Sequence, residues 1–77
     1  MAFSRKLKTT VFELYKVRYE NITRLAQAME MSVPHVYNVR KGVRGINEKF
    51  IVGAVKAFPE YKLDVLFYVG EEVISHE

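Results

Sequence analysis

Asn21-Ile22-Thr23-Arg24-Leu25-Ala26-Gln27-Ala28-Met29-Glu30-Met31-Ser32-Val33-Pro34-His35-Val36-Tyr37-Asn38-Val39-Arg40-Lys41-Gly42 is the stretch whose reading decides the fold. Asn21 and Ser32 are strong helix N-caps, because a short side-chain oxygen can accept a backbone N–H that the first helical turn leaves unpaired. Ser32 lies eleven positions after Asn21, which leaves room for two helical turns and a tight connection. Ile22, Leu25, Ala26 and Met29 share one face of the first helix, about Ile22 to Met29. Val36 and Val39 share one face of the second, about Val33 to Lys41. Ala26 is small where two steeply crossed helices must approach. Pro34 suits a first turn, where its missing N–H would have no partner. Gly42 is a natural left-handed stop. The reading is a helix-turn-helix, a motif whose second helix commonly enters the major groove of DNA.

The flanks extend the pattern. Ser4 is read as the cap of a first helix reaching about Arg18, with Phe3, Leu7, Val11, Leu14 and Tyr15 as its inner stripe. Thr9 and Thr10 fall on its polar side. Ile46 is expected to tuck into the core, and Asn47 to cap a helix reaching Phe58. Phe50, Ile51, Ala54, Val55 and Phe58 are its candidates for burial, and Pro59 ends it. A short last helix, about Lys62 to Tyr68, would turn Leu63, Leu66 and Phe67 inward and stop at Gly70. The run Val65 to Val69 is also rich in β-formers, so a strand competes there; the helical spacing of Leu63, Leu66 and Phe67 favours helix. The expectation is an all-α, five-helix domain over residues 1–70 with an acidic tail over 71–77.

Composition narrows the partners. Seventy-seven residues, 49% of them hydrophobic, make one domain with a modest core. There is no cysteine, hence no disulfide framework and no thiol nucleophile. No apolar run approaches the roughly 18 residues of a membrane span, and the N-terminus has no apolar segment behind its charges. A cytoplasmic, nucleoid-associated protein is expected. Residues 1–59 carry eleven Lys and Arg against four Glu, a net +7, while residues 60–77 carry Lys62 against five acids, a net −4. No acid lies between Met31 and Asn47, where Arg40, Lys41 and Arg44 sit. A polyanion-binding face with a separate acidic end fits that distribution.

The pattern Leu25-Ala26-x-x-Met29-x-Met31-Ser32-x-x-x-Val36-Tyr37-x-x-Arg40-x-Gly42-x-Arg44-Gly45-Ile46 resembles the Cro/repressor-type (Xre) helix-turn-helix family of bacterial and phage transcriptional regulators, in particular its small phage or prophage members. Phe58-Pro59-Glu60-Tyr61-Lys62-Leu63-Asp64-Val65-Leu66-Phe67 resembles that family's fifth helix. The resemblance spans roughly Lys6 to Val69 and implies a lambda-repressor-like domain. Two positions depart from the family pattern: Glu30 stands where the turn usually has Gly, and Ile22 where the helix often begins with a phosphate-binding Gln. A non-Gly residue at positive φ costs about 1 kcal/mol.

With Val36 and Val39 inward, the outward residues of the second helix are the candidates for DNA. Asn38 can donate and accept at an adenine edge, His35 can bond guanine, and Val33 and Pro34 can meet a thymine methyl group. Thr23, Arg24, Tyr37, Lys41, Arg44 and Lys49 are the phosphate candidates. Tyr37 reads equally as a cover over Met31 and the turn, and His35 equally as an exposed polar residue. Leu66, Phe67, Tyr68, Val69, Val73 and Ile74 form an apolar surplus suited to a homodimer interface. The expected function is a sequence-specific double-stranded DNA-binding regulator, a repressor acting as a homodimer without cofactor, metal, membrane or small-molecule substrate. An architectural or recombination accessory protein and an antitoxin-like protein-binding module are the alternatives. His35 and His76 are far apart with no third metal ligand in spacing, and no phosphate loop or nucleophile triad is present, so an enzyme is not expected.

Overall fold

The computed structural model describes the backbone of residues 2–74 and the side chains of residues 5–71. The element order is β1 (Ala2–Thr9), α1 (Val11–Arg18), α2 (Ile22–Met29), α3 (Val33–Arg40), α4 (Glu48–Ala57), α5 (Leu63–Leu66) and β2 (Phe67–Ile74). β1 and β2 pair as a two-stranded antiparallel sheet, in a register that sets Lys6 opposite Gly70, Lys8 opposite Tyr68 and Thr9 opposite Phe67. Among the described residues the fold is therefore a small mixed α/β domain with five helices and a terminal ribbon, and the all-α expectation is corrected. Ser4 lies in a strand and caps no helix, and Gly70 sits within β2. Residues 71–74 continue that strand, while 75–77 of the expected tail lie outside the described residues.

Both corrections have one physical cause. Phe3, Leu7, Val11 and Leu14 fit a helical stripe, but Phe3 and Leu7, four positions apart, also share one face of a strand. A short segment that satisfies both periods is settled by what it can pair with. The partner here is more than fifty residues away, and it is the β-rich run that begins at Phe67.

Thr9 and Thr10 hold the junction. The Thr9 hydroxyl donates to the Leu66 carbonyl (2.9 Å) and its oxygen accepts the Val11 N–H (3.2 Å). The Thr10 hydroxyl donates to the Val65 carbonyl (2.8 Å), and the Thr10 N–H donates to the Leu66 carbonyl (3.0 Å). These bonds satisfy carbonyls that a helix as short as α5 leaves without internal partners. The two threonines thus clamp the chain's two ends together at the point where each changes from strand to helix.

The core lies beneath α2, α3 and α4. Val11, Leu25, Ala26, Val36, Phe50, Ala54 and Leu66 are fully buried, and Met29, Met31, Ala57, Phe58 and Phe67 nearly so. Val36 and Val39 point inward as expected, whereas Val55 and Leu63 are exposed. α4 crosses the end of α2 at Gly53, where a Cβ would stand 2.7 Å from the Met29 carbonyl oxygen. At the other end of α4, the Tyr19 hydroxyl donates to the Ala57 carbonyl (2.7 Å) and Arg18 pairs with Glu60. The Arg18 guanidinium also lies over the Phe58 ring. These contacts fix α1 and α4 as a platform behind the helix pair. Among the described residues, no helix is long and apolar enough to cross a membrane.

Candidate nucleic-acid interface

The helix pair is organised by its caps. Asn21 Oδ1 accepts the Arg24 N–H (2.9 Å), Ser32 Oγ accepts the His35 N–H (3.3 Å) and Asn47 Oδ1 accepts the Phe50 N–H (3.0 Å). Between α2 and α3 the chain makes a Schellman turn. The Met31 N–H reaches back to the Ala26 carbonyl (2.9 Å) and the Glu30 N–H to the Gln27 carbonyl (3.1 Å). Glu30 occupies the left-handed position, with φ 58° and ψ 42°. The turn keeps its tight geometry in spite of the side chain. Lys56 Nζ of α4 sits 3.2 Å from the Glu30 carboxylate, a solvent-exposed pair.

α3 presents an outward face between its two buried valines. Pro34 and Tyr37 are exposed, His35 and Asn38 are half-buried, and Val33 is half-buried against the core. Lys41 is exposed, with its ammonium 5.3 Å from the centre of the Tyr37 ring, so the two side chains share one surface. Tyr37 is thus an exposed ring beside a cation. Arg40, in the last turn of α3, is exposed as well, a cation of the basic stretch that was not among the phosphate candidates.

Past α3 the chain folds back on the helix end. Gly42 has φ 79°, and the Asn38 carbonyl accepts the N–H groups of Val43 (3.0 Å) and Arg44 (3.1 Å). This doubled acceptor fixes the backbone at Arg44 against α3. Exposed Lys49 follows in the first turn of α4, beside exposed Glu48. His35 reports on how these elements converge. Its Nε2 is buried and has no hydrogen-bond partner among the described residues. Loss of solvation, and then the nearby charges of Arg44 and Lys49, hold its pKa below the usual 6.5. A half-buried imidazole next to two cations is a place where an added anion would be favoured over an added proton.

Thr23 and Arg24 are exposed in the first turn of α2, where Arg24 Nη1 donates to Gln27 Oε1 (3.4 Å). Of the apolar C-terminal residues, Leu66 and Phe67 belong to the core of this chain, so they are removed from any surface. Tyr68 and Val69 are 47% and 66% exposed on β2. Val73 and Ile74 pair with Phe3 and Ala2 in the ribbon, and their side chains lie outside those described. The expected cluster is thereby reduced to the outer part of one strand. Lys6 and Lys8, assigned no role in the sequence argument, stand on β1 beside the loop that follows α3. The alternation about Leu7 was the signal that would have found them.

The arrangement offers an exposed helix face with a ring, an amide and an imidazole. Its flank carries Arg40, Lys41, Arg44 and Lys49, with no carboxylate on α3 or on the loop after it. Set against known protein families, curated proteins and solved structures, the chain matches none of them.

Proposed function

We propose that this chain is a sequence-specific double-stranded DNA-binding protein of the Xre type. It acts as a transcriptional repressor, with α3 in the major groove. The observation that carries this reading is the capped α2–α3 pair, closed by a Schellman turn, whose outward helix face is free of acids and bordered by cations. His35 and Asn38 are the base readers, with Pro34 against a thymine methyl group. Thr23, Arg24, Tyr37, Lys41, Arg44 and Lys49 hold phosphates on either side. Val33 is the weakest of the base readers, being half-buried against the core.

A single helix-turn-helix spans too few base pairs to be selective in a genome, so two copies would read half-sites about one turn apart. The exposed Tyr68 and Val69 on β2 support pairing through the ribbon. Repression follows by occlusion, in the cytoplasm and on the nucleoid.

Selection from random duplex DNA at two salt concentrations, followed by sequencing, tests the reading. Enrichment of an inverted repeat with half-sites near one helical turn apart supports a dimeric specific regulator. Salt-sensitive binding without enrichment would replace it with an architectural role, and no binding at low salt would end the DNA reading.

A further inference from the structure

We infer that His35 reads its base as a donor only: its single ring proton is held on Nδ1, so the ring selects guanine, whose major-groove edge offers two acceptors. The inference rests on the DNA reading above and adds to it the base that His35 accepts. His35 is the third residue of α3, and Ser32 Oγ accepts its backbone N–H at 3.3 Å. The ring therefore stands in the first turn, at the end of a recognition helix that meets the base edges. Its two nitrogens have different surroundings. Nε2 is buried and has no hydrogen-bond partner among the described residues. Nδ1 makes no hydrogen bond among the described residues either, but it is not buried and opens to solvent.

Nε2 is thus either a buried N–H without an acceptor or a buried lone pair without a donor. A donor cut off from water with nothing to bond loses its full hydration. The charges that act on the ring are both positive, Arg44 on the loop after α3 and Lys49 in the first turn of α4. Two cations repel a proton on the buried nitrogen and favour a lone pair there. Burial and the same two charges keep the ring neutral at pH 7, and a neutral imidazole carries one proton. That proton belongs on Nδ1, the reverse of the tautomer that predominates in free histidine. At a base edge the exposed Nδ1–H donates and cannot accept. Guanine meets it with N7 and O6, whereas adenine sets an amino donor beside N7, cytosine offers an amino donor, and thymine offers one acceptor beside a methyl group.

The proton is tested first, on the free full chain. Long-range proton–nitrogen NMR correlations of the nitrogen-15-labelled rings separate the two tautomers, and His35→Gln identifies the signal, His76 being the only other histidine. At pH 7.5 His35 should show a protonated Nδ1 and a bare Nε2. A protonated Nε2, or an even mixture, overturns the inference without reference to DNA. The contact is tested next, on the selected duplex. At one guanine of each half-site, replacement by adenine should weaken the wild type about 10-fold and His35→Gln hardly at all. His35→Asn, whose amide N–H falls where Nδ1 stands, should keep the guanine preference; the longer amide of His35→Gln reaches the Nε2 position and should lose it. If no guanine separates the wild type from His35→Gln, the donor contact is overturned and the helix-pair reading stays intact. Wild-type protein that binds no duplex at low salt ends both.

Discussion

Replacing Gly53 by alanine should lower the stability of this protein, against the usual direction for such a change. Inside a helix, Ala is favoured over Gly by about 0.5–1 kcal/mol, because Gly loses more backbone freedom on folding. Gly53 lies inside α4, so propensity alone predicts a gain. The structure predicts the opposite. An added Cβ would stand 2.7 Å from the Met29 carbonyl oxygen, 3.0 Å from Met29 Cβ and 3.3 Å from Met31 Sδ. Nonbonded atoms of this kind prefer about 3.5 Å or more. The closest of them is backbone, in the last turn of α2 just before the Schellman turn, and so cannot swing aside as a side chain can. Overpacking of a tight core costs about 1–3 kcal/mol, and the backbone clash argues for the upper half of that range. After subtracting the propensity gain, the expected net loss is about 1–2 kcal/mol. At about 4–8 °C per kcal/mol for a domain of this size, Tm should fall by about 5–15 °C. Thermal and urea unfolding followed by circular dichroism would measure it. Gly45→Ala is the matched control, since nothing lies within 4 Å of its added Cβ and its φ is not positive. It should be neutral or slightly stabilising. A Gly53→Ala protein as stable as the wild type, or more so, would refute the claim that α2 and α4 are seated backbone against helix at this point.

Glu30→Gly should stabilise the domain by about 1 kcal/mol, because Gly occupies the left-handed turn position without a Cβ penalty. The lost exposed pair with Lys56 subtracts at most a few tenths, and an unchanged urea midpoint would show that the turn carries no strain. Thr9→Val keeps the shape but deletes the hydroxyl that donates to the Leu66 carbonyl and accepts the Val11 N–H. A loss of about 1–2 kcal/mol is expected in urea unfolding, and a neutral result would contradict the clamp. His35 titrates below its usual 6.5 in the folded chain, so the unfolded chain takes up the proton first. The His35 contribution to stability is complete above pH 6.5 and is lost as pH falls below it. Urea midpoints at pH 7.5 and 5.0 should therefore differ more in the wild type than in His35→Gln; equal differences would remove His35 as the cause.

The helix pair was legible because its signals are local. Asn21, Ser32 and Asn47 each cap within three residues of themselves, Gly42 and Glu30 fall at the left-handed positions, and the inward positions of α2 and α3 follow from spacing alone. The termini were not legible because their structure depends on each other. Phe3 and Leu7 share a face in a helix or in a strand, and only pairing with residues 67–73 separates the two. Gly53 was missed for a related reason. A glycine in an otherwise apolar helix carries no mark of the backbone that presses on it from another element.

The same non-local dependence governs the ribbon. The outward residues of α3 follow from the burial of Val36 and Val39, but the position of Lys6 and Lys8 depends on the register of a ribbon that nothing in their own neighbourhood specifies. In a strand a slip of one residue exchanges the two faces. Such a slip would turn Lys6 and Lys8 to the side now held by Arg5 and Leu7. Two features at the root of the ribbon oppose it. Phe67 is buried against Phe50, in an edge-to-face contact at 6.2 Å, and so must point inward. Thr9, directly opposite Phe67, is bonded to the Leu66 carbonyl beside it. The burial of one ring and the bond of one hydroxyl therefore decide which face of β1 turns to the core, and Thr9→Val should loosen the ribbon as well as the junction that bears it.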